Sequence, residues 1–252
     1  MKLSEKEFNL PNILTLLRVL SVPFFIYFLL SNSQVFKFIA FILFTLASIT
    51  DLIDGYLARK WKQETELGKF LDPLADKFLV LGAFITFLFL SNQVEIWMVL
   101  CIIARDMLIT VLRYLAVQEG RSLRTSMFGK IKTTFQMFAI GIILISLFWI
   151  SYRETSTINA EFRMAATQGI YPWDVAYRNF QKFMNNEYSS VYYGLAAFLP
   201  YYLMLVTTII TIISGLRYLV TNFSLLLPPY PSKKKKEQID DGDAPPDTGT
   251  DG

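Results

Sequence analysis

Histidine is absent from this chain of 252 residues, and cysteine occurs once, as Cys101. The lack of histidine removes the most common general base and the most common ligand of transition metals in proteins. The single cysteine excludes an internal disulfide bond, and its apolar surroundings favour a small core residue. Acid–base or metal chemistry therefore falls chiefly to carboxylates, which suit hard cations such as Mg²⁺ or Mn²⁺.

A large excess of charge of either sign is also missing. Lys and Arg (24) nearly balance Asp and Glu (21), so the formal net charge is +3, and nucleic acid is not indicated as a partner. Apolar residues, by contrast, make up 53% of the chain, and the mean hydropathy is +0.39. Several apolar runs approach or exceed roughly 18 residues, which is typical of helices that cross a lipid bilayer.

Six apolar segments predict an all-α integral membrane protein with six transmembrane helices. Their approximate bounds are residues 12–30, 35–59, 70–90, 95–117, 131–150 and 191–220. Pro23 is expected to kink the first helix. A short interfacial, juxtamembrane segment (residues 1–10) precedes the transmembrane domain (11–227), and no removable signal peptide is expected. Residues 228–252, rich in Lys, Asp, Pro and Gly, are predicted to form a disordered charged tail.

Basic residues in the short loops predict the orientation, because cytoplasmic loops are enriched in Lys and Arg. The basic loops after the second and fourth helices hold Arg59, Lys60, Lys62, Lys69, Arg121, Arg124, Lys130 and Lys132. The two opposite loops hold only Lys37. Both basic loops and both termini are therefore expected to face the cytoplasm, with the chain in the inner (cytoplasmic) membrane.

An extracytoplasmic insertion is predicted at residues 151–190, where acidic and basic residues balance. Trp173, Tyr177, Phe180 and Met184 recur there at helical spacing on one face. This pattern predicts a short helix that either lies on the membrane surface or packs on the outer face of the protein itself. Both interpretations stay open, and no catalytic role is expected for the segment.

Four aspartates form a candidate metal site at the ends of the second and third predicted helices. Asp51 and Asp54 are three apart, Asp72 and Asp76 are four apart, and each pair shares a helical face. Two antiparallel helices joined by a short loop would bring the four carboxylates together. The alternative is a set of helix caps and solvated charges, since Asp72 before Pro73 resembles a helix start. An aspartate deep in a bilayer costs ~2.5–3.5 kcal/mol, however, and bound divalent cations remove both this cost and the mutual repulsion.

The full spacing around these aspartates is D-x2-D-G-x2-A-R-x8-G-x3-D-x3-D. Its fixed positions are Asp51, Asp54, Gly55, Ala58, Arg59, Gly68, Asp72 and Asp76. This pattern resembles the signature of the CDP-alcohol phosphatidyltransferases, membrane enzymes that transfer a phosphatidyl group from CDP-diacylglycerol to an alcohol. The segments 11–18, 103–106 and 129–136 resemble the branch of the family that uses glycerol 3-phosphate. Asp106 stands where that branch is expected to carry glutamate, and the resemblance covers about residues 8 to 145.

The resemblance implies a role for each motif residue and makes residues 11–227 the catalytic domain, with its active site at the cytoplasmic side. The implied metal ligands, for two Mg²⁺ or Mn²⁺ ions, are Asp51, Asp54, Asp72 and Asp76. Asp76 would also take the proton from the attacking hydroxyl. The implied CDP-diacylglycerol site comprises Asp51, Gly55, Ala58, Arg59, Gly68 and Asp72. The resemblance further implies a homodimer.

An acceptor such as glycerol 3-phosphate brings a phosphate of its own, so its site needs further cations. Arg105, Arg113 and Lys130 are the candidates, because they belong to the cytoplasmic parts of the fourth and fifth helices. Pairing of Asp106 with Arg113, seven residues away, is an alternative that would make Arg113 structural. Lys132 and Arg121 are interpreted as ordinary positive-inside residues.

Two other functions remain open. One is the same chemistry with phosphatidylglycerol, serine or an inositol phosphate as acceptor, because the aspartate motif is shared across the family. The other is a non-enzymatic transporter of divalent metals, because membrane carboxylates also mark ion pathways. The spacing of Gly55, Ala58, Arg59 and Gly68 argues against transport, since a cation path needs no such arginine.

Overall fold

The computed structural model describes residues 10–61, 66–118 and 127–226, and side chains within 13–50, 77–116, 118, 129 and 131–223. This part of the chain is helical apart from short connections and contains no strand. The helices are α1 (Leu10–Leu30), α2 (Gln34–Trp61), α3 (Glu66–Leu90), α4 (Ile96–Gln118), α5 (Met127–Trp149), α6 (Tyr152–Thr167), α7 (Pro172–Met184) and α8 (Val191–Leu226). The predicted all-α class is confirmed for the described residues.

Within the described residues, three helices are long and apolar enough, by length and composition, to cross a membrane. Their apolar segments are Ile13–Leu30 in α1, Ile131–Trp149 in α5 and Val191–Phe223 in α8. Helices α2, α3 and α4 match the other predicted spans in position, but each carries charged residues. By length and composition, α1, α5 and α8 therefore fit the prediction of membrane helices. The count of six stays a prediction.

Several predicted boundaries differ from the structure. Helix α3 begins at Glu66 rather than near residue 70, so Asp72 and Pro73 lie inside it and Asp72 does not start the helix. Glu66, Leu67 and Lys69 are good helix formers, which extends α3 toward its N-terminus beyond the proline. Helix α1 continues through Pro23. The predicted tail and all of the N-terminal segment except Leu10 lie outside the described residues.

Helix α1 packs against both α2 and α3. Gly82 permits the close approach of α3, because an added Cβ would lie 3.3 Å from Val22 Cγ1 and 3.4 Å from Ile26 Cδ1. The core of this group is aromatic, and the rings of Phe25 and Phe44 lie 6.0 Å apart.

Helix α8 packs against α4, α5 and α7, and α5 also contacts α2 and α3. The two groups of helices therefore share one apolar core.

Helix α6 lies over the turn between α3 and α4. It begins with a capping box in which Ser151 and Glu154 bond each other's backbone N–H groups. The Asn159 side chain donates to the Leu90 carbonyl over 2.8 Å and accepts from the Asn92 N–H over 3.0 Å. Leu90 ends α3, about 21 Å along the helix from Asp76 at 1.5 Å per residue. The predicted insertion therefore folds at the end of α3 opposite to the aspartates.

We predict that Asn159→Ala lowers the thermal stability of the protein in detergent. The substitution removes two hydrogen bonds that join α6 to the α3–α4 turn, at a cost of about 2 kcal/mol in total. The matched control is Thr157→Ala, because the exposed Thr157 hydroxyl bonds only the Arg153 carbonyl of its own helix. Equal unfolding temperatures for the two variants would show that the contact does not hold α6 in place.

Candidate active site

The backbone is helical at every position of the aspartate motif. Asp51, Asp54, Gly55, Ala58 and Arg59 belong to α2, and Gly68, Asp72 and Asp76 belong to α3. The predicted helical spacing of each aspartate pair is thereby confirmed. The side chains of all eight residues lie outside the described residues, so their metal and nucleotide roles stay predictions. Four residues separate the two helices, which limits how far apart the ends of α2 and α3 can lie.

A buried arginine lies beside the α2 half of the motif. Arg18 of α1 is 3% exposed, and its Nε donates to the carbonyl oxygen of Ala47 over 3.2 Å. Ala47 precedes Asp51 by four residues, which is about one helical turn. The sequence had drawn attention to Arg18 only as part of the segment 11–18.

The α3 half of the motif is tied to α4. Lys77, directly after Asp76, hydrogen-bonds through Nζ to the Thr110 hydroxyl. The Thr110 hydroxyl in turn donates to the Asp106 carbonyl oxygen over 2.7 Å. The aspartate end of α3 therefore lies next to the part of α4 that carries Arg105 and Asp106.

Asp106 is the centre of a buried charge cluster that joins α4, α5 and α8. Both of its carboxylate oxygens accept from Lys132 Nζ at 2.6 Å, and Oδ1 also accepts from Arg105 Nη1 at 3.0 Å. Arg105 Nη2 donates to the Ser214 hydroxyl over 2.8 Å. Asp106 and Lys132 are 8% and 4% exposed. Among the described residues, the cluster therefore brings two cationic side chains to one buried carboxylate.

Arg105 is held in place and still has hydrogen-bond donors to offer. Its hydrogen bonds to Asp106 and Ser214 use one N–H on each terminal nitrogen, and Nε is buried without a partner among the described residues. A guanidinium carries five N–H donors, so the remaining ones are free to bind a phosphate. Gly215 makes room for this side chain, because an added Cβ would lie 2.9 Å from Arg105 Cγ.

The predicted acceptor site is only partly brought together by the structure. Arg105 lies in the charge cluster, whereas Arg113 is exposed on α4. The side chain of Lys130, like Arg121 as a whole, lies outside the described residues. Asp106 bonds Arg105 and Lys132 rather than Arg113, so the alternative pairing of Asp106 with Arg113 is wrong.

The interpretation of Lys132 as an ordinary positive-inside residue is also wrong, since Lys132 is buried and bonds Asp106. The sequence feature that could have indicated a buried role for Lys132 is Asp106, because a carboxylate within an apolar helix requires a counter-charge from a neighbouring helix.

Helix α8 adds a buried polar stripe that the sequence interpretation missed. Its members recur every three or four residues and are Thr207, Thr211, Ser214, Tyr218 and Asn222. Thr211 Oγ1, the Tyr218 hydroxyl and Asn222 Oδ1 are buried without partners among the described residues, as is Nε2 of Gln136 on α5. Buried polar atoms are normally hydrogen-bonded. The interior between α4, α5 and α8 therefore offers polar groups to a ligand.

Within the described side chains, no group of three or more Asp, Glu or Cys residues is arranged to hold a metal ion. The carboxylates predicted to bind a metal ion are those of the aspartate motif, whose side chains lie outside the described residues. The donor set available there is made of carboxylate oxygens, because the chain has no histidine. Oxygen ligands suit Mg²⁺ and Mn²⁺.

Fold and motif together define an all-α protein with helices able to cross a membrane and an acidic motif on two consecutive helices. The family model for CDP-alcohol phosphatidyltransferases matches residues 8–172. The chain belongs to this family, which confirms the resemblance seen in the motif.

Three bacterial proteins are similar to the chain, and each is named CDP-diacylglycerol–glycerol-3-phosphate 3-phosphatidyltransferase. The protein from Haemophilus influenzae is 40% identical over 143 residues, which cover 55% of this chain and 76% of the relative. The protein from Rickettsia bellii is 41% identical over 145 residues, which cover 58% of this chain and 78% of the relative. The protein from Escherichia coli K12 is 40% identical over 143 residues, covering 55% and 78%.

We predict that Asp106→Ala destabilises the protein strongly, since it removes the buried carboxylate that both Lys132 and Arg105 bond. Breaking one side of a buried ion pair costs about 3–5 kcal/mol, which thermal unfolding in detergent will detect. Glu187→Ala, at an exposed carboxylate, is the control and is expected to change stability by about 0.5 kcal/mol or less.

The double variant Asp106→Leu with Lys132→Met is expected to recover a large part of the lost stability, because it removes a charge of each sign. A single Asp106→Ala variant as stable as the control would contradict the assigned ion pairs.

Proposed function

We propose that this chain transfers the phosphatidyl group of CDP-diacylglycerol to sn-glycerol 3-phosphate, giving phosphatidylglycerophosphate and CMP. The observation that carries this proposal is the roughly 40% identity to three enzymes named for the same reaction. The complete aspartate motif supports the donor half of the reaction, because all eight fixed positions are present. The buried cations beside the motif support an acceptor that carries a phosphate.

The donor site is proposed on the facing ends of α2 and α3. Asp51, Asp54, Asp72 and Asp76 would hold Mg²⁺ or Mn²⁺, in a site for two ions. Such ions stabilise the charge that develops on a diphosphate as its bridging bond breaks. Gly55, Ala58 and Gly68 are small enough for close approach of the nucleotide, and Arg59 supplies a fixed cation to its phosphates.

The transfer itself is an attack by the acceptor hydroxyl on the phosphorus that carries the diacylglycerol. A new P–O bond forms to the acceptor, the bond to the bridging oxygen breaks, and CMP leaves with that oxygen. Asp76 is the proposed base that takes the hydroxyl proton. A carboxylate fits this task because the chain has no histidine and a neighbouring divalent cation can adjust its pKa.

The acceptor phosphate is proposed to bind Arg105, Arg113 and Lys130. Arg105 is the best supported of the three, because Asp106 and Ser214 fix its guanidinium while leaving donors free. Lys132 contributes positive potential, although its ammonium is occupied by Asp106. The hydrogen bond from Lys77, which follows Asp76 in the sequence, to Thr110 supports a position of this part of α4 beside the end of α3. An acceptor held there lies near the proposed base.

The proposed topology has six membrane spans, both termini in the cytoplasm and the active site at the cytoplasmic side of the inner membrane. Helix α6 supports the sidedness, because its Asn159 binds the end of α3 that lies opposite to the aspartates. A homodimer remains part of the proposal, in line with the family resemblance.

The test is a transfer assay with purified protein, labelled CDP-diacylglycerol and a panel of acceptors. Rapid release of CMP and a labelled lipid product are expected with glycerol 3-phosphate and not with phosphatidylglycerol, serine or an inositol phosphate. A product with a different acceptor would move the chain to another branch of the family. Metal uptake into vesicles without any CMP release would favour the transporter.

We predict that Asp51→Asn, Asp54→Asn and Asp72→Asn each abolish transfer while the protein still inserts into membranes. Each substitution keeps the size of the side chain and removes the charge that a metal ion requires. Asp174→Asn on α7 is the matched control and should retain full activity. More than about a tenth of the activity in any two motif variants, a barrier change below about 1.4 kcal/mol, contradicts the metal role.

A further inference from the structure

Helix α7 has three distinct faces. One face is buried and carries Val175, Ala176 and Asn179. A second face is exposed and apolar: Trp173, Tyr177, Phe180 and Met184 are 54%, 50%, 38% and 63% exposed. The third face is polar and includes Asp174, Arg178 and Gln181. The helix therefore packs on the protein, but through a face other than the aromatic one that its sequence pattern emphasises.

The buried face attaches α7 firmly to α8. Asn179 is fully buried, and its side-chain amide donates to the Ala197 carbonyl over 3.2 Å and to Glu161 over 3.1 Å. Asn179 Oδ1 accepts from the Tyr188 hydroxyl over 3.0 Å. The rings of Phe180 and Phe183 also lie 5.4 and 5.5 Å from the ring of Phe198. These contacts fix the position of the exposed aromatic face along the axis of α8, near Ala197 and Phe198.

That position coincides with the beginning of the apolar span of α8. The span starts at Val191, and Phe198 lies seven residues further, or about 10 Å along the helix. Helix α7 is thus level with the first turns of a membrane-crossing segment. This is the depth at which amphipathic helices lie, with their apolar faces ~5–10 Å into the boundary between headgroups and acyl chains.

Neighbouring residues support the same level for the membrane surface. Trp149 ends the apolar span of α5 and stacks on Tyr192 at 4.8 Å with an angle of 9° between the rings. Both side chains are about half exposed. Trp and Tyr are enriched where a bilayer meets water, so this pair marks the interface at the same end of the molecule as α7.

We propose that the face formed by Trp173, Tyr177, Phe180 and Met184 is inserted into the lipid interface of the extracytoplasmic leaflet. The polar face of α7 then meets water, and the buried face fixes the helix to α8. The lipid bilayer is the favoured occupant because the patch is level with the first turns of the apolar span of α8, combines Trp and Tyr with the aliphatic side chain of Met184, and carries no charge. The inference does not depend on the proposed reaction.

The test uses spin labels on the two exposed faces of α7 in the full chain. The single native cysteine is removed by Cys101→Ser, and labels are attached through Tyr177→Cys and Met184→Cys on the apolar face. Matched controls are Arg178→Cys and Gln181→Cys on the polar face. Each labelled protein is reconstituted into vesicles of phosphatidylethanolamine and phosphatidylglycerol. Power-saturation spectra then give the access of oxygen, which enters hydrocarbon, and of a polar nickel chelate, which does not.

The labels at 177 and 184 are expected to be accessible to oxygen and shielded from the nickel chelate. Their ratio of oxygen access to nickel-chelate access should be several-fold higher than the ratio at 178 and 181. Equal ratios on the two faces would show that the aromatic face is in water. Shielding of 177 and 184 from both reagents would show that protein covers it. Dilution with unlabelled chain would then reveal a second copy through the loss of spin–spin broadening. Equal ratios on the two faces, or shielding of 177 and 184 from both reagents, would each overturn the proposal.

Discussion

The interaction between Asp106 and its two cations is the constraint on which the interior of this protein depends. One carboxylate joins Lys132 of α5 to Arg105 of α4, and Arg105 continues to Ser214 of α8. Charges within apolar helices are tolerated only when they pair or line a polar cavity. The relative rotation of α4, α5 and α8 is therefore constrained by this single cluster.

This cluster also relates the two halves of the proposed active site. Thr110 connects α4 to Lys77 of α3, which follows Asp76 in the sequence. Arg18 of α1 bonds the carbonyl of Ala47, four residues before Asp51. Arg18 and Lys77 are therefore fixed on α1 and α3 close in sequence or by contact to the helical segments that carry the acidic motif. Helices α6 and α7 are fixed at the other end of the molecule, so that the proposed chemistry and the proposed contact with the outer lipid leaflet are separated.

The long helices and the family motif were predictable from the sequence, because both depend on local spacing, whereas α6 was not predicted. Apolar runs gave the positions of the long helices, and eight fixed residues within 51–76 gave the family. The partner of Asp106 was not predictable in this way. Lys132 is 26 residues away and Ser214 lies 109 residues from Arg105, and a single sequence carries no record of which helices meet. The sequence left the position of α7 open for the same reason, since the partners of its buried Asn179 lie on α6, on α8 and at Tyr188.

The most direct test of this account is the effect of Arg105→Ala on the two Michaelis constants. If the fixed guanidinium binds the acceptor phosphate, the KM for glycerol 3-phosphate should rise roughly 30-fold, from a loss of about 2 kcal/mol. The KM for CDP-diacylglycerol should change little, and Arg105→Lys should restore only part of the loss because it lacks the planar fork. Ser214→Ala is the control for a loosened but intact guanidinium. A parallel rise of both constants, or no change in either, would contradict the assignment of this cluster to the acceptor.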